Sequence, residues 1–353
     1  MKLSFISSAA IQNAMRQTIR ESQNEMTDAS TEATTGVYAD IGVALGSNTS
    51  VSVNLTREVS RIDSLLDSNA VANQRLSSSQ TALGDMSSSA QDLLDQLVAL
   101  RGSADTSSIQ LAQQQASATL SNFVSDANTM VNGEYLFAGT NTDVQPVTDN
   151  TSAATLAIQS ALNTYMGALS PPVTSSSDLT GAQMTDFITT KVEPMFTDDS
   201  APAPNNWASW SSASDQNMTS RISNSQVVDS STNANEPGMR YVALATTVVN
   251  ALMGQDLSPD ALNAVTDQAI SYSRQAIDGI NDQTSALGLS QSRVTDANTS
   301  LSAQKDIINT NIIDLTGVDP YEASTKVNSL ETQLETAYTI ISKIQQLSLV
   351  NYL

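Results

Sequence analysis

The amino-acid sequence predicts a mainly α protein, a long-helix coiled-coil bundle made from both chain ends, with a small α+β or β-rich domain inserted in the middle. The first observation is a seven-residue repeat of large aliphatics, which keeps one stripe of a long helix against a partner. Its members are Ile280, Leu287, Val294, Leu301, Ile308 and Leu315. The second is that seven of the nine prolines lie between Pro146 and Pro237. The two helical ends of the chain therefore flank a proline-rich middle region.

The first half of the chain predicts three helices. Residues 8–35 carry a seam in steps of four and three, and Gly36, Gly42 and Gly46 among β-branched residues then predict an extended or hairpin-like connector. A long helix follows over residues 55–101. Its core positions are Leu55, Val59, Ile62, Leu66, Leu76 and Leu83. After the break at Gly102, another helix is predicted to end near Gly133.

The second half begins with a predicted short strand at residues 135–137 and then a region of turns and loops. Helices resume after Gly238. Ser258 followed by Pro259 is a strong helix start, and it opens the helix that carries the seven-residue repeat as far as Leu315. Asp319 and Pro320 begin the last helix, whose apolar seam again alternates steps of four and three.

These patterns divide the chain into three predicted parts. Residues 1–45 and 319–353 form a terminal coiled-coil domain that is disordered in the monomer. Residues 46–145 and 239–318 form a central helical bundle, and residues 146–238 form the inserted domain. The terminal part is predicted to be disordered because its apolar stripes are narrow and no third strong helix covers them.

Composition excludes several function classes. A formal net charge of −21 repels phosphate backbones and anionic lipid headgroups, so nucleic acid is not expected as a partner. The absence of cysteine and histidine removes disulfides, thiolate and imidazole metal sites, and the common catalytic triads. No signal-peptide core and no apolar span of about 20 residues is found, so membrane insertion is not expected and the chain is either cytoplasmic or exported without a cleaved signal. We expect neither an enzyme nor a cofactor.

Narrow stripes on the two terminal helices indicate assembly, because neighbouring copies can supply the missing apolar surface. The residues expected to form this assembly interface are Met15, Ile19, Met26, Val327, Leu330, Leu334, Ile341 and Ile344.

Two segments carry a resemblance to a known family. The C-terminal residues 346–353, with the sequence QLSLVNYL, and the segment 133–140, with the sequence GEYLFAGT, are similar to the bacterial flagellin superfamily. Within it, the chain most resembles the family of hook-filament junction proteins. The resemblance implies that the terminal helices form an inner coiled-coil tube and that the inserted domain faces outward. It also adds four residues to the assembly interface: Leu347, Leu349, Tyr352 and Leu353.

The resemblance further implies a secreted structural protein of the extracellular bacterial flagellum, located at the hook-filament junction and exported by the flagellar type III route. Its implied partners are further copies in a ring or helical layer, the adjacent hook-associated junction protein, flagellin, and a cytoplasmic export chaperone on the C-terminal helix.

Three alternatives stay open at this stage. The nearest is a filament flagellin subunit, which shares the fold and the terminal helices. A second is an exported sugar-binding or hydrolytic protein, with exposed Trp207 and Trp210 beside Asp198, Asp199 and Asp215 as its site. The third is a cytoplasmic coiled-coil scaffold that is not exported.

Overall fold

The computed structural model describes residues 8–102, 105–200 and 206–350, which are mainly helical. The helices are α1 (Ser8–Thr35), α2 (Ile41–Leu45), α3 (Thr49–Gly102), α4 (Thr106–Ala127), α5 (Thr151–Ala168), α6 (Gly181–Phe187), α7 (Pro194–Thr197), α8 (Pro237–Leu252), α9 (Pro259–Thr316) and α10 (Pro320–Val350). Two antiparallel hairpins interrupt them: β1 (Met130–Val131) with β2 (Glu134–Tyr135), and β3 (Thr219–Arg221) with β4 (Val227–Asp229). The predicted fold class is confirmed.

The long helices begin where capping residues predict. The Ser258 hydroxyl accepts a hydrogen bond from the backbone N–H of Ala261 (3.1 Å), with Pro259 as the first residue of α9. Asp319 accepts from the N–H of Tyr321 (2.8 Å) at the start of α10. Asp105 caps α4 in the same way, so α3 and α4 are separate helices, as the break at Gly102 predicted.

The predicted connector is mostly wrong. Residues 41–45 form α2, residues 46–48 form a 3₁₀ turn, and α3 begins at Thr49 rather than Leu55. Asp40 explains this local helix, because its side chain accepts from the N–H of Val43 (2.9 Å) and caps the first turn. Within residues 36–48, extended pairing is confined to an isolated bridge between Val37 and Gly317.

Two further boundaries differ from prediction. Helix α4 ends at Ala127, and Gly133 instead turns the β1–β2 hairpin, where Asn132 (φ 53°) and Gly133 (φ 86°) adopt left-handed conformations. The proline-rich region also contains the 18-residue α5, which was predicted as turns and loops. The prolines of this region lie outside α5, so their number wrongly predicted turns and loops at residues 151–168.

The chain folds as two compact units. Unit 1 comprises residues 1–64 and 300–353, and unit 2 comprises residues 65–299. Unit 2 has one continuous apolar core, in which α4 and α5 both pack on α8. Its helices α8 and α9 touch through their backbones, because a Cβ on Gly238 would lie 2.6 Å from the nitrogen of Ile280. The boundaries of the three parts drawn from the sequence stay a prediction.

Candidate assembly surface

Helices α1 and α10 form an antiparallel pair in unit 1. Near the middle of the pair, the Gln23 amide donates a hydrogen bond to the Tyr338 hydroxyl (2.9 Å). At one end, the N–H of Val318 donates to the carbonyl of Gly36 (2.9 Å). Since residue numbers rise on one helix as they fall on the other, the two helices run in opposite directions.

The breaks beside Gly36 and Gly317 hold this pairing in register. Gly36 ends α1 in a left-handed conformation (φ 70°), which a side chain would disfavour. The chain then forms the bridge between Val37 and Gly317, and the N–H of Tyr38 donates to the carbonyl of Thr316 (3.0 Å). The end of α1 and the start of α10 are therefore fixed to each other by backbone hydrogen bonds.

The stripe between α1 and α10 is narrow. Of the residues predicted as the assembly interface, three are buried in this pair: Ile19, Leu330 and Leu334. Five are half-buried and keep part of their surface open: Met15, Met26, Val327, Ile341 and Ile344. The side chains of Leu347 and Leu349, and the whole of Tyr352 and Leu353, lie outside the described residues. The structure therefore describes the side chains of eight of the twelve predicted interface residues.

One side of the pair opens as a groove of about 600 Å³. Met26, Val327 and Leu334 supply its apolar surface, and Glu331 and Glu335 also line it. The groove lies beside the stripe that the sequence identified, so the chain itself leaves part of that apolar stripe uncovered.

A second set of apolar side chains in unit 1 is exposed, and the apolar stripes of the sequence did not indicate it. Unit 1 carries ten of the eighteen large apolar side chains that are exposed among the described residues, although it is the smaller unit. They are Ile11, Ile41, Val43, Val51, Val53, Ile307, Ile313, Tyr321, Tyr338 and Ile340. On α9, a second apolar stripe beside the first is the signal that could have indicated Ile307 and Ile313, because Ile308 and Ile312 adjoin them in the sequence.

The residues predicted as bundle core differ in burial along the helices. The buried ones are Ile62, Leu76, Leu83, Ile280, Leu287, Val294 and Leu301. The half-buried ones are Leu55, Val59, Leu66, Ile308 and Leu315. The seven-residue repeat of α9 thus continues through Ile308 and Leu315, where this chain covers it only in part.

The alternative sugar-binding or hydrolytic site in the middle region does not form. Trp207 and Trp210 are 2% and 3% exposed, so the indoles that this alternative needs at the surface are instead packed in the core. They stack on each other, and the Trp207 N–H donates to Asn235 (2.8 Å). Asp199 pairs with Arg240 (2.7 Å), which also lies over the Trp207 ring. These contacts stabilise the fold, and the two buried indoles offer no exposed aromatic surface to a ligand.

The remaining acids of that site are also engaged locally. Asp215 accepts from the Asn235 side-chain amide (2.7 Å), and Asp198 accepts from the N–H of Ser200 (2.9 Å). Within the described ranges, no three acidic side chains are grouped closely enough to hold a metal ion. In the same part of the chain, no helix combines the length and apolarity needed to cross a membrane.

Buried ionisable groups of unit 2 act as internal supports. Arg75 donates to Glu134 and to the carbonyl of Tyr135 (both 2.7 Å), which ties α3 to the β1–β2 hairpin. Burial lowers the pKa of Arg75, although Glu134 acts in the opposite direction. Tyr272 donates to Glu193 (2.9 Å), and burial with this contact raises the pKa of the tyrosine.

Comparisons with known proteins agree with this architecture. Residues 6–142 match the family model for the bacterial flagellin N-terminal helical region, and residues 270–353 match that for the C-terminal helical region. A solved structure from Vibrio parahaemolyticus, described as a flagellar hook-associated protein, is similar at a TM-score of 0.53 and 15% identity, covering 76% of this chain and 97% of that one. No curated protein sequence matches significantly. Since the two models together span most of the chain, it belongs to the bacterial flagellin superfamily, the structural proteins of the bacterial flagellum.

Proposed function

We propose that this protein forms the layer that joins the hook to the filament, through self-assembly of α1 and α10 around a common axis. The observation that carries this proposal is the concentration of exposed apolar side chains on unit 1 beside a half-covered stripe. Large exposed apolar patches on proteins mark interaction sites, and exposed apolar side chains concentrated in one unit favour such a patch there. A chain with both features gains stability when copies cover one another.

Two observations favour a junction layer over a filament subunit. The similar Vibrio parahaemolyticus structure is described as a hook-associated protein, and this chain covers 97% of it. The segment from Tyr135 to Thr140 also resembles the junction family more than filament flagellins. A filament flagellin subunit is the alternative, and the experiment must distinguish it from a junction protein.

The proposed contacts follow from the exposed positions. The half-buried interface residues and the open groove meet neighbouring copies, while the predicted core positions hold the helices of each copy together. On its two faces the layer meets the adjacent hook-associated junction protein and flagellin. Before export, a cytoplasmic chaperone covers the C-terminal helix α10, whose apolar side chains need protection from premature assembly.

In-frame deletion of the gene tests the location. Cells without the junction layer are expected to carry hooks that lack filaments and to shed flagellin into the medium, because flagellin then has no surface on which to assemble. Expression of the full chain should restore filaments, whereas a chain lacking about the last thirty residues should not. Deletant cells with filaments that are merely shorter or altered would instead identify a filament subunit.

A further inference from the structure

The α1–α10 pair carries a cluster of cations at one end. Arg16 and Arg20 are four residues apart on α1, so they lie on one face of the helix. Because Gln23 bonds to Tyr338 in an antiparallel pair, Lys343 lies at the same end on α10. All three side chains are exposed, and none forms an ion pair with another described residue. We call these three residues the basic end.

The next part of the pair is acidic. Four acids follow on α1 in steps of four, three and four residues, and two more lie four apart on α10. They are Glu21, Glu25, Asp28, Glu32, Glu331 and Glu335. All are exposed except Glu32, which is half-buried and accepts from the N–H of Ala39 (3.2 Å). We call these six residues the acidic stretch.

The basic end is unfavourable within a single chain. Like charges three or four residues apart on a helix repel each other. Arg16, Arg20 and Lys343 have no acid three or four positions away on either side, so the helix itself does not relieve this repulsion. The protein has only 15 basic residues against 36 acidic ones, which makes three unpaired cations at one end of a helix pair unusual for a solvated surface.

We infer that the basic end of one copy docks on the acidic stretch of the α1–α10 pair of a neighbouring copy. This inference rests on the proposed self-assembly and adds its direction. The second copy is the occupant that fits, because its acidic stretch offers the opposite charge and its open groove, lined by Glu331 and Glu335, lies within that stretch. The groove also offers apolar surface to the stems of the arginine and lysine side chains.

The spacing of the clusters sets an offset between copies. The basic end is centred near residue 18 of α1 and the acidic stretch near residue 27, about nine residues or about 13 Å along the helix axis. A neighbour displaced by about this distance brings opposite charges together. Such a contact joins two different surfaces, so it repeats from copy to copy and generates a ring or a helical array.

Charge reversal in the full chain tests the inference. One variant carries Arg16→Glu, Arg20→Glu and Lys343→Glu. A second reverses the five exposed acids of the acidic stretch, so that the stretch becomes positive overall: Glu21→Lys, Glu25→Lys, Asp28→Lys, Glu331→Lys and Glu335→Lys. A control carries Lys191→Glu, Arg274→Glu and Arg293→Glu, three exposed cations of unit 2 whose reversal changes the net charge as much as the first variant does. Circular dichroism checks helix content, and sedimentation measures the concentration at which each protein assembles.

At about 0.1 M salt, each docking variant alone should need at least about tenfold more protein to assemble than wild type, and the control should not. An equal mixture of the two docking variants should assemble like wild type, because each then meets its opposite charge. The differences should shrink at about 1 M salt, where the screening length is about 3 Å. Docking variants that assemble like wild type, or a mixture without rescue, overturn the charge docking alone. A wild-type chain that never assembles overturns the proposed self-assembly as well.

Discussion

Removing two exposed isoleucines from α9 separates assembly from folding. Ile307 and Ile313 are 63% and 65% exposed, and both lie in unit 1. Alanine shortens each side chain to its β-carbon and is the best helix former, so the single chain loses little. We therefore expect the free energy of unfolding of the monomer to change by no more than about 0.5 kcal/mol.

The expected effect on assembly is larger. Full burial of an isoleucine side chain is favourable by about 1.5 to 3 kcal/mol, and about two thirds of that surface is still open here. Covering it with a neighbour, minus what alanine retains, is then worth about 1 kcal/mol at each site. The double variant Ile307→Ala with Ile313→Ala should weaken each contact between copies by about 2 kcal/mol, which is about a 30-fold change in the association constant.

Leu156→Ala provides the matched control. Leu156 is 67% exposed and lies on α5 of unit 2, which is not one of the proposed assembly helices. Chemical denaturation measures monomer stability, and sedimentation equilibrium measures association for all variants. The reasoning fails if the double variant associates as wild type does, or if Leu156→Ala weakens association equally.

Three other changes test the structure more widely. Burial and nearby Asp85 raise the pKa of Asp126, so the charged carboxylate destabilises the folded state above pH 3.8. Asp126→Asn should therefore increase the free energy of unfolding at pH 7, as measured by denaturation. This gain should disappear as the pH falls toward 3.8. Gly238→Ala forces a Cβ into the backbone of α9 and should lower the unfolding free energy by about 2 to 3 kcal/mol, whereas Gly84→Ala, with open space around it, should not lower it. In a dilute monomer, limited proteolysis should cut first outside residues 50–318, and full protection of both ends would contradict their predicted disorder.

The helix boundaries of the second half were predictable because their signals are local. Ser258 and Asp319 cap helices through hydrogen bonds to residues two or three positions away, and proline follows each of them. A cap acts within one turn, so sequence spacing alone is enough to recognise it. The same logic was available for Asp40, but the glycines and valines that follow it favoured an extended connector and concealed the cap.

The candidate site was predictable only in part. Periodicity identified the side of α1 and α10 that is apolar, and Ile19, Leu330 and Leu334 lie there as expected. It could not identify which apolar residues the chain covers, because cover depends on residues about 300 positions away. For this reason Ile307 and Ile313, whose exposure strengthens the proposal of assembly, were not singled out.

Apolar surface and charge have different roles in the proposed assembly. Burial of apolar side chains is not directional, so it favours association without choosing an offset between copies. Charge pairs contribute little energy on an exposed surface, but like charges in contact exclude wrong offsets. The bridge between Val37 and Gly317 connects the two effects, because it fixes α1 against α10 and so keeps Arg16 and Arg20 level with Lys343. A change that lets α1 slip along α10, such as Gly36→Val at its left-handed conformation, should therefore impair the order of the assembly more than the affinity between copies.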